Sequence, residues 1–432
     1  MLFANQLTQF QRWCCRDLRS FLKWVLLSIV VGTVVGVTGS AFYYCLDWVT
    51  AFRHTNGWIL FCLPLAGLLI VTLYHLLDMN NDGGTEFILA SVRDARQLRL
   101  RTLPLIFVST ILTHLTGGSA GREGAALQIG GSIGGQLGQL LRLDKRDSRI
   151  ITMAGMAAGF SALFGTPIGA AVFAMEVASV GIMHYSAIIP CFLSAFIANL
   201  VASFFGVHHA PFSVQGVPAI TPLSLLQLLL LGILCALAAI LFCYSMQIGG
   251  TLYAKVTQNR WLKVVLGGVL VIVLTLLLGT TNYNGAGIEI IYQAVDGTAV
   301  PYAFLLKILF TVFTLQSGYK GGEIVPAFFI GATFGCTVAP VLELSPSFGA
   351  AAGMIAVFCG VTNCPLTSIL LAYELFSGVG IAPMTLTIAA AYMLSGYCGL
   401  YHEQLIMYSK TKSLFIRQSA GQEYLNDEHK SK

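Results

Sequence analysis

Charged residues are scarce in this chain. Only 10% of its 432 residues are Asp, Glu, Lys or Arg, whereas roughly a quarter is typical of a soluble globular domain. With 56% hydrophobic residues and a mean hydropathy of +0.77, the chain could not cover a folded surface with polar side chains. The composition therefore excludes an ordinary soluble fold and indicates lipid as the solvent.

Patterns that would indicate a metal site or a nucleic-acid partner are also missing. The eleven cysteines are scattered, without paired spacing such as Cys-x-x-Cys, so we expect buried apolar side chains instead of a disulfide framework or a metal centre. The net charge of +5 is not gathered on a soluble face with base-stacking aromatics. We predict no metal, no cofactor and no nucleic-acid partner.

Long apolar runs are the main positive feature. Four of them, at about 25–47, 58–77, 224–248 and 261–280, match the roughly 17 to 25 residues that cross a bilayer as a helix. In lipid the backbone must satisfy its own hydrogen bonds, which leaves helices or a closed barrel. Because the runs do not alternate in polarity, we predict an all-α, polytopic membrane protein.

The first apolar run is preceded by basic residues instead of a signal-peptide pattern. Arg12, Arg16, Arg19 and Lys23 lie before it, and cytoplasmic segments are enriched in such residues. We therefore predict that residues 1–24 form a cytoplasmic N-terminal arm, and that the protein is a multi-pass protein of the plasma membrane, in a bacterial cell.

An internal repeat divides the chain. The segment Gly118-Ser-Ala-Gly-Arg-Glu123 reappears 200 residues later as Gly318-Tyr-Lys-Gly-Gly-Glu323. A second match, at an offset of 198 residues, relates two prolines that are each followed nine residues later by a glutamate: Pro167 with Glu176, and Pro365 with Glu374. Two matches at nearly one offset indicate two related halves.

The repeat predicts the domain organisation. One transmembrane domain at 25–410 would consist of a first repeat at about 25–206, a linker at about 207–222 and a second repeat at about 223–410. The polar tail, 411–432, has too little apolar content to bury a core. Repeats in transporters are often inverted, with broken helices that point their N-termini at a site near the membrane midplane.

The first glycine-rich segment predicts an anion site. A helix-competent stretch, 125–141, follows the glycines, and unpaired N–H groups at a helix N-terminus attract anions. A carboxylate at Glu123 could occupy that site when it is empty, and leave or take up a proton when an anion arrives. We therefore favour a gate and proton carrier over a simple helix cap. We interpret Arg122 as a cation that shapes the local electric field and not as a ligand of the anion.

The second glycine-rich segment carries different charges. Glu323 precedes an apolar helix with Pro326 in its first turn, where a proline costs no hydrogen bond. Lys320 stands three residues before Glu323, and either an ion pair between them or direct contact of Glu323 with the substrate would explain the pattern. Glu176 and Glu374, in equivalent places, indicate a structural role in which each accepts hydrogen bonds from loop backbone.

These motifs resemble those of the CLC family of anion channels and proton-coupled anion transporters. The resemblance rests on Gly-Ser-Ala-Gly-Arg-Glu-Gly at 118–124, Gly-Gly-Glu-Ile-Val-Pro at 321–326 and a tyrosine near the last helix, and it covers most of 25–410. It implies a CLC-type fold of two inverted-topology repeats with broken, re-entrant helices, and a homodimer in which each subunit holds its own pore.

The resemblance also implies site residues. Glu123 would be the gating and proton-transfer glutamate, and the backbone amides of Ile324 and Val325 would bind the anion. The anion-site tyrosine, on the last helix of the family, is best matched by Tyr401. Gly84 or Thr85 stands in place of the chloride-type filter serine, and the sequence does not choose between them. Further predicted contacts and supports are the motif neighbours Gly121, Arg122, Gly124, Lys320, Gly321 and Gly322.

Departures from the chloride-type pattern resemble the fluoride-exporting branch, the CLC-F antiporters. A strongly hydrated anion needs strong hydrogen-bond donors or a protonatable carboxyl, which Glu323 would supply. That branch often has a threonine where this chain has Val325, and Val177 stands where chloride–proton exchangers have an internal glutamate. The sequence-based hypothesis is fluoride/proton antiport that exports cytoplasmic fluoride.

Two alternatives follow from the same residues. A chloride/proton antiporter or chloride channel of this family would need only an unusual filter. A membrane-embedded enzyme would need a nucleophile–base pair or a metal cluster at a cavity, whereas the intramembrane polar residues here are isolated glutamates. We therefore expect a secondary transporter whose partners are a small anion, protons and the lipid bilayer.

Overall fold

The structure, a computed structural model, describes residues 2–80, 82–94 and 98–421, with side chains from residue 17 onward. Helices dominate it. The sixteen α-helices of the described residues are α1 (Leu2–Thr55), α2 (Leu63–Leu76), α3 (Thr85–Asp94), α4 (Thr102–Leu115), α5 (Glu123–Leu140), α6 (Lys145–Phe164), α7 (Pro167–Glu176), α8 (Ile188–Phe204), α9 (Pro222–Val256), α10 (Arg260–Leu278), α11 (Ile288–Val295), α12 (Ala303–Leu315), α13 (Ile324–Val338), α14 (Pro346–Thr362), α15 (Pro365–Leu375) and α16 (Ile381–Leu394).

The four predicted membrane runs all lie in long apolar helical segments. They fall within Asp17–Thr55, Gly57–Leu76, Pro222–Val256 and Arg260–Leu278, four of six described segments long and apolar enough to cross a bilayer. Because α1 already begins at residue 2, the boundary predicted at residue 25 falls inside a continuous helix. The all-α membrane architecture is confirmed.

The order of helices repeats along the chain, as the motif offsets predict. The helices from α4 to α7 are matched in order by those from α12 to α15, and α5 and α13 begin 201 residues apart. The helices α7 and α15 have 10 and 11 residues, fewer than the roughly 17 that a span requires. They are broken helices whose termini lie inside the protein, and these termini need partners there.

Each half of the chain caps a broken helix of the other half. The Glu374 carboxylate, on α15, accepts hydrogen bonds from the backbone N–H groups of Ile168 (2.9 Å) and Gly169 (2.7 Å) at the start of α7. In return, Glu176 on α7 accepts from the N–H groups of Leu366 (3.2 Å) and Thr367 (2.9 Å) at the start of α15. The predicted structural role of both glutamates is confirmed.

Glycines bring the long helices of each half into close contact. In the first half, α5 crosses α6 where a Cβ on Gly130 would overlap the carbonyl oxygen of Gly155, and in the second half Gly335 on α13 meets Gly349 on α14 in the same way. Such crossings bring helix backbones nearer than larger side chains would permit. They fix the direction in which α5 and α13 point.

The end of the described chain is a small sheet. The strand β1 (Ser179–Val180), after α7, pairs in parallel with β2 (Leu405–Tyr408), which pairs antiparallel with β3 (Phe415–Ser419). Part of the predicted polar tail is therefore ordered, because its backbone extends a sheet that begins in the first half instead of burying a core of its own. Residues 422–432 of that tail lie outside the described residues.

Replacing the cross-capping glutamate of α15 is expected to destabilise the protein. A Glu374→Leu change leaves two part-buried N–H groups without an acceptor, at a cost of about 1–3 kcal/mol for each. Glu374→Gln keeps one carbonyl oxygen and should cost less. The measurement is thermal unfolding in detergent followed by tryptophan fluorescence, with the exposed Glu343→Gln as control. Equal unfolding temperatures for all three variants would contradict the capping role.

Candidate anion site

The two glycine-rich loops are hydrogen-bonded to each other. The N–H of Gly121 donates to the carbonyl of Gly322, and the N–H of Gly322 donates to the carbonyl of Gly121, both at 2.7 Å. This antiparallel bridge joins the loop before α5 to the loop before α13. It brings two helix N-termini, each with unpaired N–H groups and a partial positive charge, to one point inside the protein.

Glu123 occupies this point. It is the first residue of α5 and is 0% exposed. Its Oε1 accepts a hydrogen bond from the N–H of Arg122 at 3.1 Å, and the carboxylate also lies close to the N–H of Val325 in the first turn of α13. Its Oε2 is buried without a hydrogen bond of normal geometry. A carboxylate thus lies where the helix termini would hold a free anion.

Glycine at 322 leaves the room that this carboxylate uses. A Cβ at Gly322 would lie 2.5 Å from Oε2 of Glu123 and 2.6 Å from the backbone nitrogen of Gly124. A Cβ at Gly121 would overlap the same carboxylate, and one at Gly321 would overlap Ala120. The bare backbone of the two loops is therefore a steric requirement of the Glu123 position.

Thr85, not Gly84, presents a polar atom to this centre. Its hydroxyl lies 3.5 Å from the carbonyl of Gly124 and accepts a hydrogen bond from Nε2 of Gln128 at 3.1 Å. Gly84, with a φ of +59°, supplies the left-handed turn that leads into α3. Gln128, whose side chain is only 3% exposed, was not among the predicted site residues, although a polar residue in a buried helix was a usable signal.

Tyr401 corrects one prediction and keeps its place near the centre. It does not lie on the last helix, because α16 ends at Leu394 and Tyr401 is in the segment that leads to β2. That segment is tied down by the N–H of Leu400, which donates to the carbonyl of Val361 at the end of α14. Tyr401 is 2% exposed, and its phenol lies within electrostatic range of Glu123 and Glu323.

Two polar cavities approach the centre from opposite ends of α10. The first, about 150 Å³, is lined by Arg122, Arg53, His114 and Asp47 together with residues that follow α10; we call it the Arg122 vestibule. The second, about 610 Å³, is lined by Glu323, Glu86, Gln316, His402 and the end of α9 that precedes α10; we call it the Glu323 vestibule. The bridged loops lie between them.

The charged neighbours of the two glutamates play unequal parts. The Arg122 guanidinium faces its vestibule and stacks on the ring of Tyr43, with 5.2 Å between its Cζ and the ring centroid, as expected of a cation that shapes the local field. Within the described residues Lys320 forms no ion pair with Glu323. Its ammonium lies instead over the ring of Tyr74, 4.5 Å from the ring centroid. Of the two alternatives for the second glycine-rich segment, the structure contradicts the ion pair, and Glu323 lines its vestibule.

A buried lysine was overlooked at the sequence level. Lys307 lies in the apolar helix α12 and is 0% exposed, and its signal was a single charge in a long apolar run. Glu86 was also missed: its Oε1 accepts a hydrogen bond from the N–H of His402 at 3.1 Å and lines the Glu323 vestibule. No sequence pattern separates that glutamate from an ordinary first-turn helix residue.

Several known proteins are similar to this chain. The crystal structure of a CLC-type fluoride/proton antiporter superposes with a TM-score of 0.86 at 30% identity, over 89% of this chain and 98% of that one. The chloride/fluoride channel protein of Pseudomonas syringae pv. tomato is 36% identical over 416 residues, 94% of this chain and 92% of its own. The H(+)/Cl(−) exchange transporter ClcA of Yersinia pestis is 28% identical over 407 residues, 87% and 85% of the two chains.

The fold and the paired glycine-rich loops define a multi-pass membrane protein with the CLC-type architecture. The family model described as voltage gated chloride channel matches residues 66–396, which include both glycine-rich loops. The chain belongs to the CLC family. A slow cyanobacterial Cl−/H+ antiporter, 21% identical with a TM-score of 0.75, shares the fold.

Adding one methyl group at the bridge is expected to inactivate the centre. Gly322→Ala forces the Glu123 carboxylate or the α5 terminus to move, so anion flux from proteoliposomes should fall by about tenfold or more, as expected for small displacements in a positioned site. Gly57→Ala, whose Cβ meets nothing within 4 Å, is the matched control. The idea fails if Gly322→Ala transports as fast as Gly57→Ala at equal thermal stability.

Proposed function

We propose that this protein is a fluoride/proton antiporter that exports cytoplasmic fluoride in exchange for protons. The observation that carries the proposal is the buried Glu123 carboxylate, which lies at the joined termini of α5 and α13, between two vestibules. One group at this place can mimic an anion when ionised and carry a proton when neutral. The similarity to a CLC-type fluoride/proton antiporter supports the same exchange here.

The exchange follows from mutual exclusion at one position. An anion that arrives from the Glu323 vestibule competes with the Glu123 carboxylate for the N–H groups near Val325. Displacement favours the protonated, neutral side chain, because two negative charges in one buried place repel each other. The displaced side chain takes up its proton from the Arg122 vestibule and releases it toward the Glu323 vestibule when it returns, so the proton moves in the direction opposite to the anion.

Glu323 is the residue that supports fluoride over chloride. Glu323 is the residue just before α13, and it lines the Glu323 vestibule together with Glu86. Two carboxylates at one entrance repel a free anion unless one of them is protonated. A neutral carboxyl can donate one strong hydrogen bond to a small, hard anion. The relative from Pseudomonas syringae, named for chloride and fluoride, is in line with this selectivity.

Chloride transport is the second candidate, and one residue favours it. Val325 offers no hydroxyl in the first turn of α13, so the only side-chain donor at this terminus that could replace the hydration of a strongly hydrated anion is a protonated Glu323. The Yersinia pestis relative is named for H+/Cl− exchange. A chloride/proton antiporter would use the same Glu123 cycle, so the two candidates differ in the anion and not in the gate.

The proposal includes an orientation in the plasma membrane. Arg19 and Lys23 near the start of α1 favour a cytoplasmic N-terminus, and α1 ends beside the Arg122 vestibule, which His54 lines. The Arg122 vestibule then opens outward and the Glu323 vestibule opens to the cytoplasm. We also propose a homodimer of two such subunits, each with its own pathway, because this assembly is typical of the family.

A paired efflux assay tests the function and its first mutation. Proteoliposomes loaded with fluoride or with chloride at equal concentration are followed with an ion-selective electrode and a proton indicator. The wild type should release fluoride faster than chloride and take up protons as it does so. Glu123→Gln, which cannot carry a proton, should abolish the proton uptake, with Glu343→Gln as surface control. Undiminished proton-coupled flux in Glu123→Gln would refute the role of Glu123.

Removing the second carboxyl tests the selectivity argument. Glu323→Leu should slow fluoride efflux by about tenfold or more, the loss expected for one strong hydrogen bond of roughly 1.5–3 kcal/mol. Chloride efflux should change less, because the larger anion depends less on a strong donor. Parallel loss of both fluxes, or wild-type fluoride efflux, would make Glu323 a structural residue and favour the chloride alternative.

A further inference from the structure

One face of the apolar helix α12 is polar. Lys307, Thr311 and Thr314 follow one another at steps of four and three residues, the spacing of neighbours on a helix surface. All three side chains are 0% exposed, so the face they form looks into the protein and not into lipid. Its hydrogen bonds to other elements go to the loop before Glu123 or to the turn that holds that loop.

The two threonines contact the loop directly. The hydroxyl of Thr314 accepts a hydrogen bond from the N–H of Ser119 at 2.9 Å, and the hydroxyls of Thr311 and Ser119 lie 3.2 Å apart. Ser119 lies four residues before Glu123, in the glycine-rich loop that precedes α5; we call residues 117–122 the gating loop. Thr311 and Thr314, on the polar face of α12, therefore hold the backbone of that loop in place.

Lys307 reaches the same loop through one intermediate turn. Its ammonium donates to the carbonyls of Tyr283 (3.2 Å) and Gly285 (2.7 Å). The N–H of Gly285 in turn donates to the carbonyl of Gly118 at 3.2 Å. The side chain of Asn284, in the same turn, donates to the carbonyl of Gly117 at 2.9 Å. Lys307 thus orders the turn that fixes the start of the gating loop.

The positive charge of Lys307 has no fixed counter-charge. Within the described residues no carboxylate lies within 4 Å of its ammonium, which lies over the Phe329 ring, 5.1 Å from the ring centroid. Such a buried charge is costly unless something compensates it. The charged and titratable groups within electrostatic range are Arg53 on α1, His114 on α4 and Glu123 on α5.

Of these groups, only Glu123 can bring negative charge. The His114 ring donates from Nδ1 to the carbonyl of Thr110 at 2.9 Å, so it is neutral or positive. Arg122, the chain neighbour of Glu123, adds a second cation, and Glu323 and Tyr401 also lie within electrostatic range of Glu123. The compensating charge for Lys307 is therefore the ionised gate, or an anion that replaces it.

We propose that Lys307 is a positioning residue of the transport cycle: its ammonium, held beside the loop by the carbonyls of Tyr283 and Gly285, favours a negative charge at the Glu123 position and so sets the pH at which the gate releases its proton. The inference rests on the proposed proton-coupled role of Glu123. It assigns to α12 an electrostatic function in addition to its hydrogen bonds. A lysine that only pinned the turn would affect stability and rate but not the pH dependence.

The test compares neutral and charged replacements. Lys307→Met removes the charge and the hydrogen bonds, whereas Lys307→Gln removes the charge and keeps an amide donor. Removing a nearby positive charge favours the protonated carboxyl, so the gate should keep its proton to higher pH. The pH profile of coupled flux, measured at equal pH on both sides of the liposome, should shift by about one unit to alkaline pH in both variants.

Three controls accompany the measurement. Lys307→Arg keeps the charge, and its profile should stay within a fraction of a unit of the wild type. Lys255→Met removes an exposed lysine from the last turn of α9 and should leave the profile unchanged. In a Glu123→Gln background, which loses proton coupling, the pH profile of the anion flux that remains should be the same with and without Lys307→Met, because the titrating group is gone.

The outcomes separate the inference from the function on which it rests. Absence of proton flux in the wild type would overturn the proposed function itself. A coupled wild type whose profile is unshifted in Lys307→Gln and Lys307→Met would overturn the inference, as would loss of folded protein in both neutral variants, since the lysine would then be a structural anchor. A shift that persists in the Glu123→Gln background would also refute it.

Discussion

The reciprocal hydrogen bonds between Gly121 and Gly322 are the constraint on which the site depends. A two-residue bridge is a small interaction, yet it can form only if each half delivers its glycine-rich loop to the same depth. The glycine crossings of α5 with α6 and of α13 with α14 set that depth. Once the loops are paired, the N-termini of α5 and α13 lie together. The Glu123 carboxylate at the start of α5 then competes with any free anion for the N–H groups at the start of α13.

The sequence predicted the parts of this structure that leave periodic or repeated signals. The membrane-length apolar runs predicted the helices. The Gly118 and Gly318 segments, with the two proline–glutamate pairs, predicted the two halves of the chain. The role of Glu176 and Glu374 followed as well, because two equivalent carboxylates inside apolar helices need equivalent partners. Backbone physics at helix termini then located the centre at Glu123.

Side-chain partners that depend on three-dimensional approach were not predictable. Lys320 was placed near Glu323 by sequence distance, whereas the fold turns it onto the ring of Tyr74, a residue far away in the chain. Tyr401 was assigned to a helix because it follows an apolar run, and only the structure shows that the helix stops at Leu394. The choice of Thr85 over Gly84 rests on the contact between the Thr85 hydroxyl and Gln128, which no local sequence pattern predicts.

The exchange of caps between α7 and α15 has a consequence for how the protein came to exist as one chain. Each half carries a helix terminus that it cannot satisfy and a carboxylate that only the other half can use. Neither half is therefore a self-sufficient module, although each has a full set of helices. An ancestral single-repeat protein with this architecture would have had to form antiparallel pairs, each copy lending its carboxylate to the other, before gene fusion made the exchange internal.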